Sequence, residues 1–175
     1  TLIEKGFEVE AYILILATWN FAYFRYDIKN FDSNKFQKII EKINPIFEEL
    51  KGRQLKNINF DKDSALIYKI KNIFIHLKEI AKQTGASKLM ALRNPNLFVM
   101  WDTEIRRANG IKNNGDADDY IQFLKKMQSD FSNIKWDNKT KPLAKVIDEY
   151  NYAIADKVKR TKKIEAKKRD KRKVV

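Results

Sequence analysis

The stretch from Leu66 to Ile80 constrains the fold more than any other part of the chain. Apolar side chains stand at Leu66, Ile67, Ile70, Ile73, Phe74, Leu77 and Ile80. Steps of three and four fall on one face of an α-helix, whereas a strand would scatter them over both faces of a sheet. The same step recurs in Phe7, Ala11, Leu14, Ile15, Thr18, Trp19, Ala22 and Tyr26, in Phe36, Ile39, Ile40 and Ile43, in Tyr120, Phe123, Leu124 and Met127, and in Leu143, Val146, Ile147, Tyr150, Ala153 and Ile154. No long two-residue alternation occurs, and 5 glycines and 3 prolines in 175 residues leave few turns for a many-stranded protein. The expectation is an all-α, compact multi-helix orthogonal bundle of seven to nine helices.

Capping residues set the boundaries. Asp32 or Ser33, Asp61 or Asp63, Asp102, and Asp116 with Asp119 three positions on all stand where a helix-starting side chain accepts from first-turn amides. Asn44-Pro45 interrupts one pattern and predicts a short restarted helix through Phe47 and Leu50. Thr84-Gly85 predicts the end of the long helix, with the glycine in the left-handed closing conformation. Asn94-Pro95 breaks the next piece, and Gly110 closes the helix begun at Asp102. Tyr12, Ile13, Leu16 and Phe21 fill the gaps in the first apolar stripe, which predicts a central helix contacted on several sides.

Composition excludes several chemistries. Without cysteine there is no disulfide, no thiolate nucleophile and no cysteine-ligated zinc, and a single histidine, His76, excludes a site built on several imidazoles. His76 shares its helix with Ile73, Leu77 and Ile80 and reads as a boundary imidazole rather than a base. Asp116, Asp118 and Asp119 crowd one helix start and read as caps rather than as metal ligands, since the glycine and ligand ladder of a calcium loop are missing. Neither a metal nor a cofactor is expected. The strongly apolar run from Ala11 to Trp19 is far short of the roughly 20 residues that span a bilayer, and a cytoplasmic protein is expected.

Charge divides the chain. The net charge is +13, of which +9 lies in residues 157–175. We therefore expect a single helical domain over residues 1–156 and a basic extension over 157–175, either a continuation of the last helix or a frayed tail. Lys157, Lys159, Arg160, Lys162, Lys163, Lys167, Lys168, Arg169, Lys171, Arg172 and Lys173 form a block suited to a polyanion through counterion release. Nucleic acid is the expected partner, with a nucleoid-associated location if that partner is DNA.

In the middle of the chain the apolar run Leu97-Phe98-Val99-Met100-Trp101 ends at one carboxylate, Asp102, followed by Thr103-Glu104-Ile105-Arg106-Arg107. Two readings of Asp102 stand side by side. As a cap it accepts from free amides and gains from the helix field. In a cleft the same carboxylate stabilises a developing cation or orients water. Trp101 belongs to the core or offers a ring to stack on a base. Trp19, Tyr23 and Tyr26 pose the same choice at the end of the first helix. Arg93, Arg106 and Arg107 flank the segment as phosphate contacts, although Arg106 and Arg107 point about 100° apart on a helix and cannot share one task.

The run from Leu89-Met90-Ala91-Leu92 to Met100-Trp101-Asp102-Thr103-Glu104-Ile105-Arg106-Arg107-Ala108-Asn109-Gly110 resembles the region of the catalytic aspartate in helix-hairpin-helix DNA glycosylases. Asp102, Thr103, Arg106 and Gly110 match that pattern, while Glu104 stands where the family commonly has histidine. Of the family's upstream hairpin glycines, Gly85 alone is present. The resemblance implies an all-helical glycosylase-like fold in which Asp102 stabilises positive charge as a base–sugar bond breaks. Lys82, 20 residues before Asp102, stands near the spacing of the lysine nucleophile carried by some members. The iron–sulfur cluster of others is excluded, because it needs cysteines. The implied function is action on damaged bases in DNA, by an enzyme or its inactive relative. The alternative is a non-catalytic DNA- or RNA-binding protein in which this motif is purely structural.

Overall fold

A computed structural model describes residues 2–19, 25, 31–111, 114–136 and 141–172. Among them are six α-helices, two short 3-10 turns and no strand. The helices are α1 (Glu8–Trp19), α2 (Ser33–Glu49), α3 (Ser64–Arg93), α4 (Thr103–Ala108), α5 (Ala117–Asp130) and α6 (Leu143–Arg172). They form a compact orthogonal bundle. α3 is its hub and packs on α1, α2 and α5, while α4 packs chiefly on α6.

Local chemistry starts four of these helices. Asp32, Asp63, Asp102 and Asp116 each accept from the backbone amide three residues on, at 2.9, 3.0, 2.7 and 3.0 Å. At α5 the box is complete, because the Asp119 carboxylate accepts from the amides of Gly115 and Asp116. Gly110 closes the turn after α4 with φ 77°, a backbone that side chains with a Cβ resist.

Two expected boundaries and one packing expectation change. α2 continues through Pro45, because Ile43 and Phe47 on either side of it are both buried and hold the helix on the core. α3 does not end at Thr84-Gly85. Its break lies at Lys82, with φ 55° and ψ −175°, and Gly85 is buried within the helix that follows. α1 is not central. It buries Ala11, Tyr12 and Leu16, but Leu14 is 54% exposed, so the packed face is rotated from the expected stripe. The center belongs to α3, where Ile70, Ile73, Phe74, Leu77 and Ala81 lose all contact with solvent.

The last helix remains helical through Arg172. Residues 157–172 of the extension therefore continue α6. No helix among the described residues is long and apolar enough to cross a membrane.

Candidate functional site

The segment that leads to Asp102 is extended and has no strand partner. Its polar backbone groups are satisfied instead by side chains from three helices, as buried amides and carbonyls require. From α5, the Tyr120 hydroxyl donates to the Val99 carbonyl at 3.0 Å. From α6, the Asp148 carboxylate accepts from the Met100 amide at 2.5 Å. From α3, the Ser87 hydroxyl accepts from the Trp101 amide at 3.2 Å and lies 3.1 Å from the Trp101 carbonyl. The Trp101 indole N–H donates to the Gln83 carbonyl at 3.1 Å. These bonds hold the backbone on both sides of the cap, so Asp102 is positioned by the tertiary structure as well as by its own helix.

Asp102 lines a cleft of about 420 Å³ together with Trp19, Lys88, Met100, Trp101, Ile105, Lys145, Asp148, Glu149 and Tyr152. Its walls come from the end of α1, the second half of α3, the head of α4 and the beginning of α6. Lys88 donates to the Trp19 carbonyl at the end of α1, a favourable place for a cation. Burial pulls its amine below the usual lysine range, opposed by the nearby Asp102 carboxylate. The Lys145 ammonium sits 5.1 Å from the centre of the Trp19 ring. Burial pushes the Asp148 carboxyl up to about 7, against the Met100 N–H bond and Lys145. A second hollow of about 220 Å³ adjoins the first and shares Trp19, Met100, Lys145 and Asp148 with it.

The residues singled out from the sequence disperse. Asp102 lies in the cleft. Trp101 does not offer a ring to a base. It is 1% exposed, with its ring against Phe74, Tyr120 and Phe123 at centroid separations of 5.9, 5.0 and 5.4 Å. The exposed aromatics of the cleft are Trp19, at 50%, and Tyr152, at 67%. Lys82 is exposed and does not line the cleft. Lys88, less than two turns further on, takes the place at the carboxylate that Lys82 was expected to fill.

Arg93 is engaged within the fold. It pairs with Glu8 at 3.4 Å and Glu48 at 3.3 Å and lies over the Phe47 ring, with its side chain 7% exposed. A hollow of about 530 Å³ borders this cluster, but its charges are engaged with one another. Arg106 and Arg107 diverge as their spacing predicts. The Arg106 guanidinium lies over the Trp101 ring at 5.3 Å and against Gly115, where a Cβ would meet it at 2.0 Å. Arg107 points outward and pairs with Glu104 at 3.1 Å.

His76 is a boundary imidazole, 3.3 Å from Glu79. Asp116 and Asp119 cap α5, and Asp118 pairs with Lys71 across to α3. Lys157, Lys159 and Arg160 are exposed on α6, with Arg160 2.7 Å from Asp156. Lys162, Lys163, Lys167, Lys168, Arg169, Lys171 and Arg172 follow on the same helix, while Lys173, Tyr23 and Tyr26 lie outside the described residues.

Sequence reasoning missed Lys88, Lys145 and Asp148 as site residues. Lys145 and Asp148, one helical turn apart on α6, were the available signal: a charged pair on the side of the helix that also carries Ala144 and Ile147. No family model matches the chain, and no curated protein and no solved structure is similar to it.

Proposed function

We propose that this chain is a nucleic-acid-binding helical protein whose cleft at Asp102 receives a base displaced from a duplex, and that it hydrolyses the base–sugar bond in the manner of a DNA glycosylase. The observation that carries this reading is the shared wall. α6 begins as one side of the Asp102 cleft and continues as the basic helix of residues 157–172. A polyanion lying along α6 therefore runs toward the carboxylate.

The cleft volume, about 420 Å³, falls in the range of roughly 300–1,000 Å³ typical of small-molecule sites. A base must leave the stack before its glycosidic bond can be reached, and Trp19 and Tyr152 are the exposed aromatics against which it would rest. Asp102 faces the sugar, stabilises its developing positive charge and orients the attacking water. Lys88 beside it and Lys145 at the rim receive the adjacent phosphates. Arg107, whose exposed pairing with Glu104 is weak enough to exchange, and the cations of α6 hold the backbone farther out. DNA is favoured over RNA, and a nucleoid-associated location follows from that preference.

The test is release of free base from duplexes carrying oxidised, alkylated or deaminated bases. Wild type releases at least one of them. A folded Asp102→Asn protein loses turnover and retains most of its DNA affinity. Equal turnover by the two proteins removes Asp102 from the chemistry.

A second reading rests on the 2.7 Å bond from the Ile105 amide to the Asp102 carboxylate. On that reading Asp102 is solely a cap, and the protein binds nucleic acid through α6 without catalysis. Salt-sensitive binding with no base released across the panel is its expected signature.

A further inference from the structure

A second carboxyl group shares the cleft. Asp148 lies on the α6 wall, 6% exposed, at the junction of the 420 Å³ cleft and the adjoining 220 Å³ hollow. One of its oxygens, Oδ1, accepts from the Met100 amide. Asp102 caps α4, the helix against which this part of α6 packs. The cleft thus presents two carboxyl groups from different elements, one at a helix start and one nearly enclosed.

We propose that Asp148 is the proton donor to the departing base, working opposite Asp102 in the same cleft. This inference rests on the base-release reading above and assigns it a substrate class: uncharged bases, which are poor leaving groups until a ring nitrogen is protonated. The Asp148 carboxylic proton passes to the base as the C1′–N bond breaks, and the bonding electron pair leaves with the base. A water oxygen bonds to C1′, and the proton that water releases goes to Asp102. The products are the free base and a sugar hemiacetal. Asp148 ends ionised and Asp102 protonated, and exchange with solvent restores both.

The surroundings of Asp148 suit this division. Burial is the largest influence on its carboxyl and favours the protonated form near neutrality, which is the form an acid must hold at the start of a turnover. The other groups facing it come from every neighbouring element. Lys145, one turn away on α6, opposes protonation, and Glu149 beside it assists. Tyr120 from α5 is kept neutral by its own burial and donates to Val99. Lys88 from α3 and Asp102 at the head of α4 line the same cleft, and α1 contributes the Trp19 ring. Two carboxyl groups in contrasting environments are the usual basis for splitting acid and base roles.

The experiment compares release of two bases from otherwise identical duplexes. One is hypoxanthine, neutral and dependent on protonation. The other is 7-methylguanine, which already carries a positive charge. Wild type, Asp148→Asn and Asp102→Asn are assayed between pH 5 and pH 9. Asparagine at 148 retains an oxygen for the Met100 amide, so the fold is preserved, and circular dichroism verifies this. Asp148→Asn is expected to lose at least about 100-fold on hypoxanthine while staying close to wild type on 7-methylguanine. Wild-type release of hypoxanthine should decline as pH rises through about 7, and release of 7-methylguanine should not. Asp102→Asn should lose both.

Equal slowing of both substrates by Asp148→Asn, or slowing of neither, overturns the proposal while base release itself stands. Release of 7-methylguanine alone by wild type also overturns it, because no neutral base then needs the proton. Release of hypoxanthine alone leaves the pH profile to decide. Loss of its decline above pH 7 in Asp148→Asn supports the proposal, and an unchanged profile overturns it. Silence of wild type on both bases overturns this inference, while the wider panel of oxidised, alkylated and deaminated bases decides the base-release reading separately.

Discussion

The Ser87 hydroxyl accepts from the backbone amide of Trp101, 14 residues away, at 3.2 Å, and both groups are buried. This bond ties the second half of α3 to the residue immediately before Asp102. The break at Lys82 lies five residues before Ser87. The Gln83 carbonyl, next to the break, accepts from the Trp101 indole at 3.1 Å. Trp101 is therefore held at its backbone and at its ring by one short stretch of α3.

Ser87→Ala should reveal how much this tie contributes. It leaves the Trp101 amide buried without its acceptor, at a cost of about 1–3 kcal/mol. Calorimetry should record a lower melting temperature. On the proposed function, base release should fall more than DNA affinity, because Asp102 loses its alignment while α6 is untouched.

Asp148 should impose a pH dependence on stability. Its carboxyl is raised from 3.8 to about 7 in the fold. Between those values the native state keeps a proton that the unfolded chain has lost. Stability is therefore greatest below about pH 4 for this group, declines as pH rises to about 7, and is level above, with a total change of at most about 4 kcal/mol. Urea unfolding across that range should show this slope in wild type. Asp148→Asn should remove it and be the more stable protein at pH 8.

Lys82 is the only described non-glycine residue with positive φ. Its φ 55° and ψ −175° lie where glycine is at ease and a Cβ is strained. Lys82→Gly relieves that strain but adds freedom to the unfolded chain. The balance should be a gain of about 1 kcal/mol in guanidinium unfolding. A loss of comparable size would mean that the lysine side chain contributes more than its backbone strain costs.

The cations should separate into structural and binding groups. Arg93→Met removes the common partner of Glu8 and Glu48 and should cost about 2 kcal/mol of stability. It should leave DNA affinity unchanged. Replacing Lys157, Lys159 and Arg160 together with glutamine should do the opposite. Stability stays within about 0.5 kcal/mol, while the salt dependence of duplex binding weakens by up to about three phosphate contacts. Fluorescence anisotropy over a salt series reads the second effect, and thermal melts read the first.

The sequence by itself determined the all-helical architecture and several of the positions at which helices begin. Periodicity is a property of neighbouring residues, and an aspartate cap needs only the amides of its own first turn, so Asp102 and Asp116 were legible without the fold, and Asp32 and Asp63 each as one of two candidates. The tertiary structure decided what long-range packing controls. It carried α2 through Pro45, where Ile43 and Phe47 outweigh the missing amide, and placed the break of α3 at Lys82 rather than at Gly85, because Gly85 is needed in the core. It enclosed Trp101 among Phe74, Tyr120 and Phe123 and engaged Arg93 with Glu8 and Glu48. The cleft belongs to the same class. Trp19, Lys88, Asp102 and Asp148 stand on four separate elements, and no local pattern relates them. Each would read as an ordinary helix residue or cap until burial in one bundle brings them to a common space, where desolvation, absent from the extended chain, shifts the amine of Lys88 and the carboxyl of Asp148.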